Sequence, residues 1–117
     1  MERKSTKKIG NEGENRACKF LLQNGYEIIE RNWRTRTGEI DIIAVMDGCT
    51  VFVEVKTRKN DRFGAAAEYV DYRKQEKIKK AAMYFLKNQD ADMRFDVIEV
   101  YHSCGQVTKI NHITDAF

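Results

Sequence analysis

The stretch Val51-Phe52-Val53-Glu54-Val55-Lys56 constrains this chain more than any other. Its apolar character is that of a strand covered on both faces, in the middle of a sheet, yet it carries a carboxylate and an ammonium. Both are costly to bury unless something answers their charge. Period-two alternation puts Phe52, Glu54 and Lys56 on one face, with Arg58 beyond them. The strand-like segment before it, Ile40 to Val45, places Glu39 and Asp41 on one face by the same rule. Between the two runs, Asp47-Gly48 is a hairpin turn signal. With these as the central turn residues, Met46 opposes Cys49, Asp41 opposes Glu54, and Glu39 opposes Lys56. A loop longer by two would shift the partners but keep the facing. Two carboxylates side by side repel unless a cation lies between them. Mg²⁺ or Mn²⁺ is the natural candidate, because a hard divalent ion takes carboxylate oxygens and keeps several waters.

The rest of the chain supplies a sheet for this hairpin. At 117 residues, 42% hydrophobic and 33% charged, it has the length and balance of one domain with one core. Asn11 to Asn24 reads as a helix, with Ala17, Phe20 and Leu21 on one stripe and Gly25 as its stop. Tyr26 to Trp33 reads as a strand ahead of the hairpin. Asp71 to Lys87 is the clearest helix, its stripe made by Ile78, Ala81, Ala82, Phe85 and Leu86. Phe95 to Tyr101 and Val107 to Ile113 read as two further strands around a turn at Ser103 to Gln106. The fold class is therefore α/β, a mixed sheet flanked by helices in the order α-β-β-β-α-β-β. Residues 1–8 form a basic tail and residues 9–117 a single domain. Apolar runs such as Ile42 to Met46 fall far short of a membrane span, and no apolar segment follows the basic start as in a secretory signal. The chain is expected in the cytoplasm, off the membrane. Cys18, Cys49 and Cys104 form no metal or disulfide pattern and read as reduced, small apolar residues.

Charge elsewhere is unevenly spread. Arg73, Lys74, Lys77, Lys79 and Lys80 stand against Glu76 alone, and Lys56, Arg58, Lys59 and Arg62 against Asp61. Such clusters suit a polyanion, or simply a solvated helix face. Arg31, Arg34 and Arg36 around Trp33 suit phosphates and a stacked base; alternatively, Trp33 caps the core. Lys59 to Tyr69 reads as a connection that orders on nucleic acid or as a plain loop. Glu14 lies three residues before Ala17 and points along the buried stripe of the first helix, as a ligand would. The alternative is a capping box with Asn11. His102 and His112 show no zinc spacing and read as surface or strand-end residues.

Asp41, a gap of twelve residues, then Glu54-Val55-Lys56 resembles the D…(D/E)-x-K signature of the PD-(D/E)XK nuclease superfamily, with Ile40 where its proline would stand. The ordered strings GNEGENRA, GY, RNWR, GEIDIIA, VFVEVKTR, RFDVIEV and HITDAF resemble the YraN family of small bacterial proteins, itself similar to archaeal Holliday-junction resolvases. This resemblance covers Ile9 to Phe117 and implies a restriction-endonuclease-like fold. It further implies Glu14, Asp41 and Glu54 as metal ligands and Lys56 as the lysine beside the attacking water, with Asp41, Glu54 and Lys56 as the catalytic set. The expected activity is divalent-metal-dependent hydrolysis of DNA phosphodiesters, at branched DNA in the resolvase manner, with a homodimer as the assembly such enzymes use. Arg34, Arg36, Arg58, Arg62, Lys74, Gln75 and Lys77 are the candidate nucleic-acid contacts. Two other readings stay open: a nucleic-acid-binding module that keeps the fold without cutting, and a structural or partner-binding protein whose buried charges form only ion pairs.

Overall fold

A computed structural model describes residues 6–59, 70–87 and 91–117, with side chains from Asn11 onward. Its elements are α1 (Thr6–Gln23), β1 (Glu27–Arg34), β2 (Glu39–Met46), β3 (Cys49–Lys59), α2 (Tyr72–Leu86), β4 (Met93–Ser103) and β5 (Gln106–Ile113). The five strands lie in one sheet in chain order, β1-β2-β3-β4-β5. Only β3 and β4 run parallel, and α2 lies in the connection between them. The expected order α-β-β-β-α-β-β holds, and β3 is the central strand.

Local chemistry explains the punctuation. Asp47 and Gly48 both adopt positive φ, as do Cys104 and Gly105 at the β4–β5 turn. This is the primed turn geometry that matches the twist of adjoining strands. Gly25, at φ 88, ends α1. Beyond it the Tyr26 N–H reaches back to the Leu21 carbonyl and the Gly25 N–H to that of Leu22, closing the helix end. Asp71 caps α2, its carboxylate accepting from the Lys74 N–H at 2.9 Å.

The core is two layers, one on each face of the sheet. Ala17, Cys18 and Leu21 of α1 pack on Ile42, Ala44, Val51, Val53, Ile98 and Val100. On the other face, Ile78, Ala81 and Ala82 of α2 pack on Ile40, Ile43, Phe52, Phe95 and Val97. Trp33 caps this second layer edge-on to Phe85, with ring centroids 5.5 Å apart.

Two expectations change. The first helix starts at Thr6 rather than Asn11, so residues 6–8 belong to it and Asn11 is an interior position, not a cap. Glycines at 10 and 13 did not stop it, because a glycine inside a helix costs only about 1 kcal/mol. Gly13 has a packing reason: a Cβ there would meet the Thr57 Oγ1 at 2.7 Å, so its absence lets α1 approach β3. His112 is the strand-end residue of the two alternatives, next to last in β5, and not a surface one; only 12% of its side chain is exposed and it bonds to the buried Asp96. The expectations for residues 60–69, Arg62 among them, lie outside the described residues.

Candidate functional site

The β2–β3 hairpin has the expected register, Met46 opposite Cys49 through Ile42 opposite Val53. The ladder ends there, one pair before Asp41 and Glu54. Instead, the Asp41 carboxylate accepts the Val55 backbone N–H at 2.8 Å, a side chain standing in for a ladder bond. The cause lies in a twist of β2 and its neighbour β1. Strict alternation would put Ile40 and Ile43 on opposite faces, yet both pack under α2, while Ile42 lies under α1. In β1, Asn32 takes φ 52 between the pairs Arg31–Ile42 and Trp33–Ile40. A left-handed residue there turns the strand over, and asparagine tolerates that conformation. Trp33 consequently faces α2, while Arg31 reaches back to α1. Asp41 sits at the turning point.

Glu54, 6% exposed, lies on the α2 side of β3. Lys74, in the first turn of α2, places its Nζ 2.5 Å from the Glu54 Oε1. Asp41 and Glu54 line the same cleft, close enough for the charge of Glu54 to act on Asp41. Burial, and next the Glu54 charge, push the Asp41 carboxyl from 3.8 up to about 7, against the pull of the Val55 N–H; Glu14 adds to the rise. Lys56 is lowered, first by burial and then by the neighbouring Lys74 ammonium. Burial is the largest influence on Lys74 and lowers it, but the bond and charge of Glu54, with the charge of Asp41 and contact with Lys56, together outweigh that and leave it raised. The site thus holds two carboxylates and two ammoniums, and burial works against the charged forms of Asp41 and Lys56.

Asp41, Glu54 and Lys74 line an open cleft of about 450 Å³, with Glu39, Lys77 and Ile78 among its other walls; Lys56 neighbours Glu54 and Lys74. Gly38 forms its lip, where a Cβ would press on the Lys77 carbonyl oxygen at 3.0 Å. Glu14 approaches from the α1 side, and its carboxylate is bonded to Arg31 at 3.2 Å. Among the described residues no three acidic, His or Cys side chains stand close enough to enclose an ion. The expected trio is thus a close pair, Asp41 and Glu54, with Glu14 nearby but turned to Arg31. A close pair still suits Mg²⁺, which is commonly held by one or two carboxylates together with waters and substrate phosphates.

The expected nucleic-acid contacts divide. Lys74 and Lys77 line the cleft. Gln75 donates its side-chain amide to the Val70 carbonyl at 2.7 Å. Arg58 is drawn along the same face to Glu99, Nε to Oε2 at 2.7 Å, and Asn111 donates to the other Glu99 oxygen at 2.9 Å. Arg34 is exposed, 3.5 Å from Glu39, and Arg36 is exposed.

On the α1 side of β4 lies a second charged cluster. Asp96, fully buried, receives both Arg94 Nε and Nη2 at 2.8 Å, His112 Nε2 at 2.7 Å and the Asp115 N–H at 2.9 Å. Arg94 also donates to the Tyr26 hydroxyl at 2.6 Å. The signal for Asp96 and Glu99 was present in the sequence. Both interrupt an apolar strand just as Glu54 does, but apart from Arg94, two residues before Asp96 on the same strand, their partners come from distant segments.

Fold and site together define a small α/β protein whose mixed sheet presents an acidic, lysine-flanked cleft beside the second helix. The chain belongs to the family described as Uncharacterised protein family UPF0102, which it matches over residues 13–100, a span that includes Glu14, Asp41, Glu54, Lys56 and Lys74. It is 52% identical over 116 residues to a UPF0102 protein of Caldicellulosiruptor bescii, covering 95% of this chain and 98% of the other. A UPF0102 protein of Caldanaerobacter subterraneus is 42% identical over 122 residues, covering both chains completely. One from Alkaliphilus oremlandii is 47% identical over 116 residues, covering 95% and 98%.

Proposed function

We propose that this cleft hydrolyses phosphodiester bonds in DNA, branched DNA being the favoured substrate class, with Mg²⁺ or Mn²⁺ held by Asp41 and Glu54. The observation that carries the reading is the pairing of two largely buried carboxylates at an open cleft, beside Lys56 and Lys74. A buried like-charge pair is destabilising unless it has a use, and perturbed carboxylates in a cleft mark functional sites. The bound ion supplies a hydroxide-like nucleophile at neutral pH and a counter-charge for the phosphoryl oxygens. Lys56, with its hold on its proton weakened, suits a hydrogen bond to the attacking water and to the oxygen that gains charge. Lys74 and Lys77 at the rim suit the flanking phosphates. Glu14 would join the ligand set by leaving Arg31. Among the described residues no helix is long and apolar enough to cross a membrane.

One observation favours a second reading, a nucleic-acid-binding module that does not cut. Lys74 already neutralises Glu54 without any metal. A panel of linear, flapped and four-way DNA with and without Mn²⁺ separates the two. Cleavage of any of these, lost in both Glu54→Ala and Lys56→Ala while DNA binding survives, is the expected result. Cleavage that persisted in purified Glu54→Ala protein would remove the cleft from consideration.

A further inference from the structure

We infer that Lys74 is the resident counter-cation of the Asp41–Glu54 pair, displaced from Glu54 when a divalent cation binds and thereby released toward a phosphate of the nucleic acid. The inference rests on the proposed metal-binding role of that pair and adds to it a device that makes metal and nucleic acid bind cooperatively.

Three features carry it. Glu54 is nearly inaccessible, 6% exposed, so its charge needs a partner whether or not an ion is present. The partner in this structure is Lys74, whose side chain remains 45% exposed. A side chain with one end on a buried carboxylate and nearly half its surface in solvent can leave without unmaking the core. Its backbone is meanwhile pinned, because the Lys74 N–H is held by the Asp71 cap at the helix start. The displaced ammonium therefore stays at the cleft, which both Asp71 and Lys74 line. An ion taking Glu54 oxygens and an ammonium on the same oxygens compete for the same lone pairs, so one binds at the expense of the other. Once freed, the lysine is a cation without its carboxylate beside a site that receives a polyanion.

The consequence is a pair of opposite effects from one substitution. Removing the ammonium should tighten metal binding and weaken DNA binding, and it should reduce the coupling between them, which is reciprocal by thermodynamic necessity. Lys77 is the control: it lines the same cleft one turn further along α2, and the ion pair to Glu54 is made by Lys74. A general effect of positive charge would be shared by both lysines, whereas competition for Glu54 is confined to Lys74.

The test is calorimetric titration of Mn²⁺ into the full chain and into Lys74→Met, Lys77→Met and Glu54→Gln. It is paired with fluorescence anisotropy on a short duplex with and without Ca²⁺. Lys74→Met should bind Mn²⁺ roughly twofold to fivefold more tightly than the parent, the range expected for breaking a half-exposed ion pair. Lys77→Met should change it less than about twofold. Ca²⁺ should strengthen DNA binding by the parent and do so less for Lys74→Met. Equal Mn²⁺ affinity in parent and Lys74→Met, or equal gains in Lys74→Met and Lys77→Met, overturns the inference while leaving the metal site standing. Absence of saturable Mn²⁺ binding in the parent overturns the site and the inference together. Should Lys74→Met fail to fold, Lys74→Gln keeps a hydrogen-bond donor to Glu54 without the charge and must move Mn²⁺ affinity in the same direction.

Discussion

Replacing Asp41 by asparagine should stabilise the metal-free protein at alkaline pH, although it removes a residue of the proposed site. The Asp41 carboxyl is pushed from 3.8 up to about 7 by burial and by Glu54. A carboxyl raised in the folded state holds its proton there and loses it on unfolding, so its contribution is favourable at low pH and disappears as pH rises from about 4 through about 7. In a sealed site the difference would amount to about 4 kcal/mol above pH 7, at about 1.4 kcal/mol for each pH unit. The cleft is open to solvent, and screening cuts that to about 2 kcal/mol. Asparagine keeps an oxygen for the Val55 N–H, which Asp41 binds at 2.8 Å, and offers Glu54 an amide donor in place of a second charge. For a chain of this length about 2 kcal/mol is a rise in Tm of roughly 6–10 °C. Thermal unfolding followed by circular dichroism, in EDTA at pH 5 and pH 8, measures it. Asp41→Asn should raise Tm at pH 8 and raise it by less than half as much at pH 5. Added Mn²⁺ should close the gap at pH 8 by stabilising the parent alone. A loss of stability at pH 8 equal to that at pH 5 would show that ionised Asp41 rests comfortably in the fold, and the argument from a strained carboxylate pair would fail.

Asp96→Ala should cost about 3–5 kcal/mol in urea denaturation at pH 7, because Arg94 and His112 lose the carboxylate between them. Burial would raise the Asp96 carboxyl, but its bonds from His112, Arg94 and the Asp115 N–H hold it below its ordinary value. The parent should therefore lose this stability as pH falls below about 4, a loss Asp96→Ala no longer shows. Gly13→Ala should destabilise by about 1 kcal/mol despite alanine's better helix propensity, since its Cβ would meet Thr57 Oγ1 at 2.7 Å. In a Thr57→Ala background the same change should become neutral or stabilising, a coupling that a double-mutant cycle in chemical denaturation reads directly. Duplex DNA affinity should fall with salt at a log–log slope of about −0.9 for each phosphate neutralised, and Lys77→Ala should lower that slope by about one without altering sequence preference.

The strands, the helices and the charged pair Glu54 and Lys56 of β3 were legible because they are written in local pattern. Alternation marked Glu54 and Lys56 as a shared face, and Asp47-Gly48 set the register that the hairpin adopts from Met46 to Ile42. Helix spacing identified Ile78, Ala81 and Ala82 as the buried stripe of α2. What local pattern does not contain is the partner of each charge. Lys74 reads as one of five cations on a helix, and only the docking of α2 against β3 makes it the counter-charge of Glu54. The twist at Asn32 is equally invisible, since a left-handed residue in a strand is chosen by the packing of Trp33 against Phe85 on one side and Arg31 against Glu14 on the other. His112 and Asp96 lie sixteen residues apart and meet because β4 and β5 pair, closing a network with Arg94 and Tyr26 that no spacing announces. Apart from Asn32, backbone conformation follows from interactions within a few residues. The fate of a buried charge depends on whichever distant group the folded chain brings within about 3 Å, where low dielectric makes the pairing decisive.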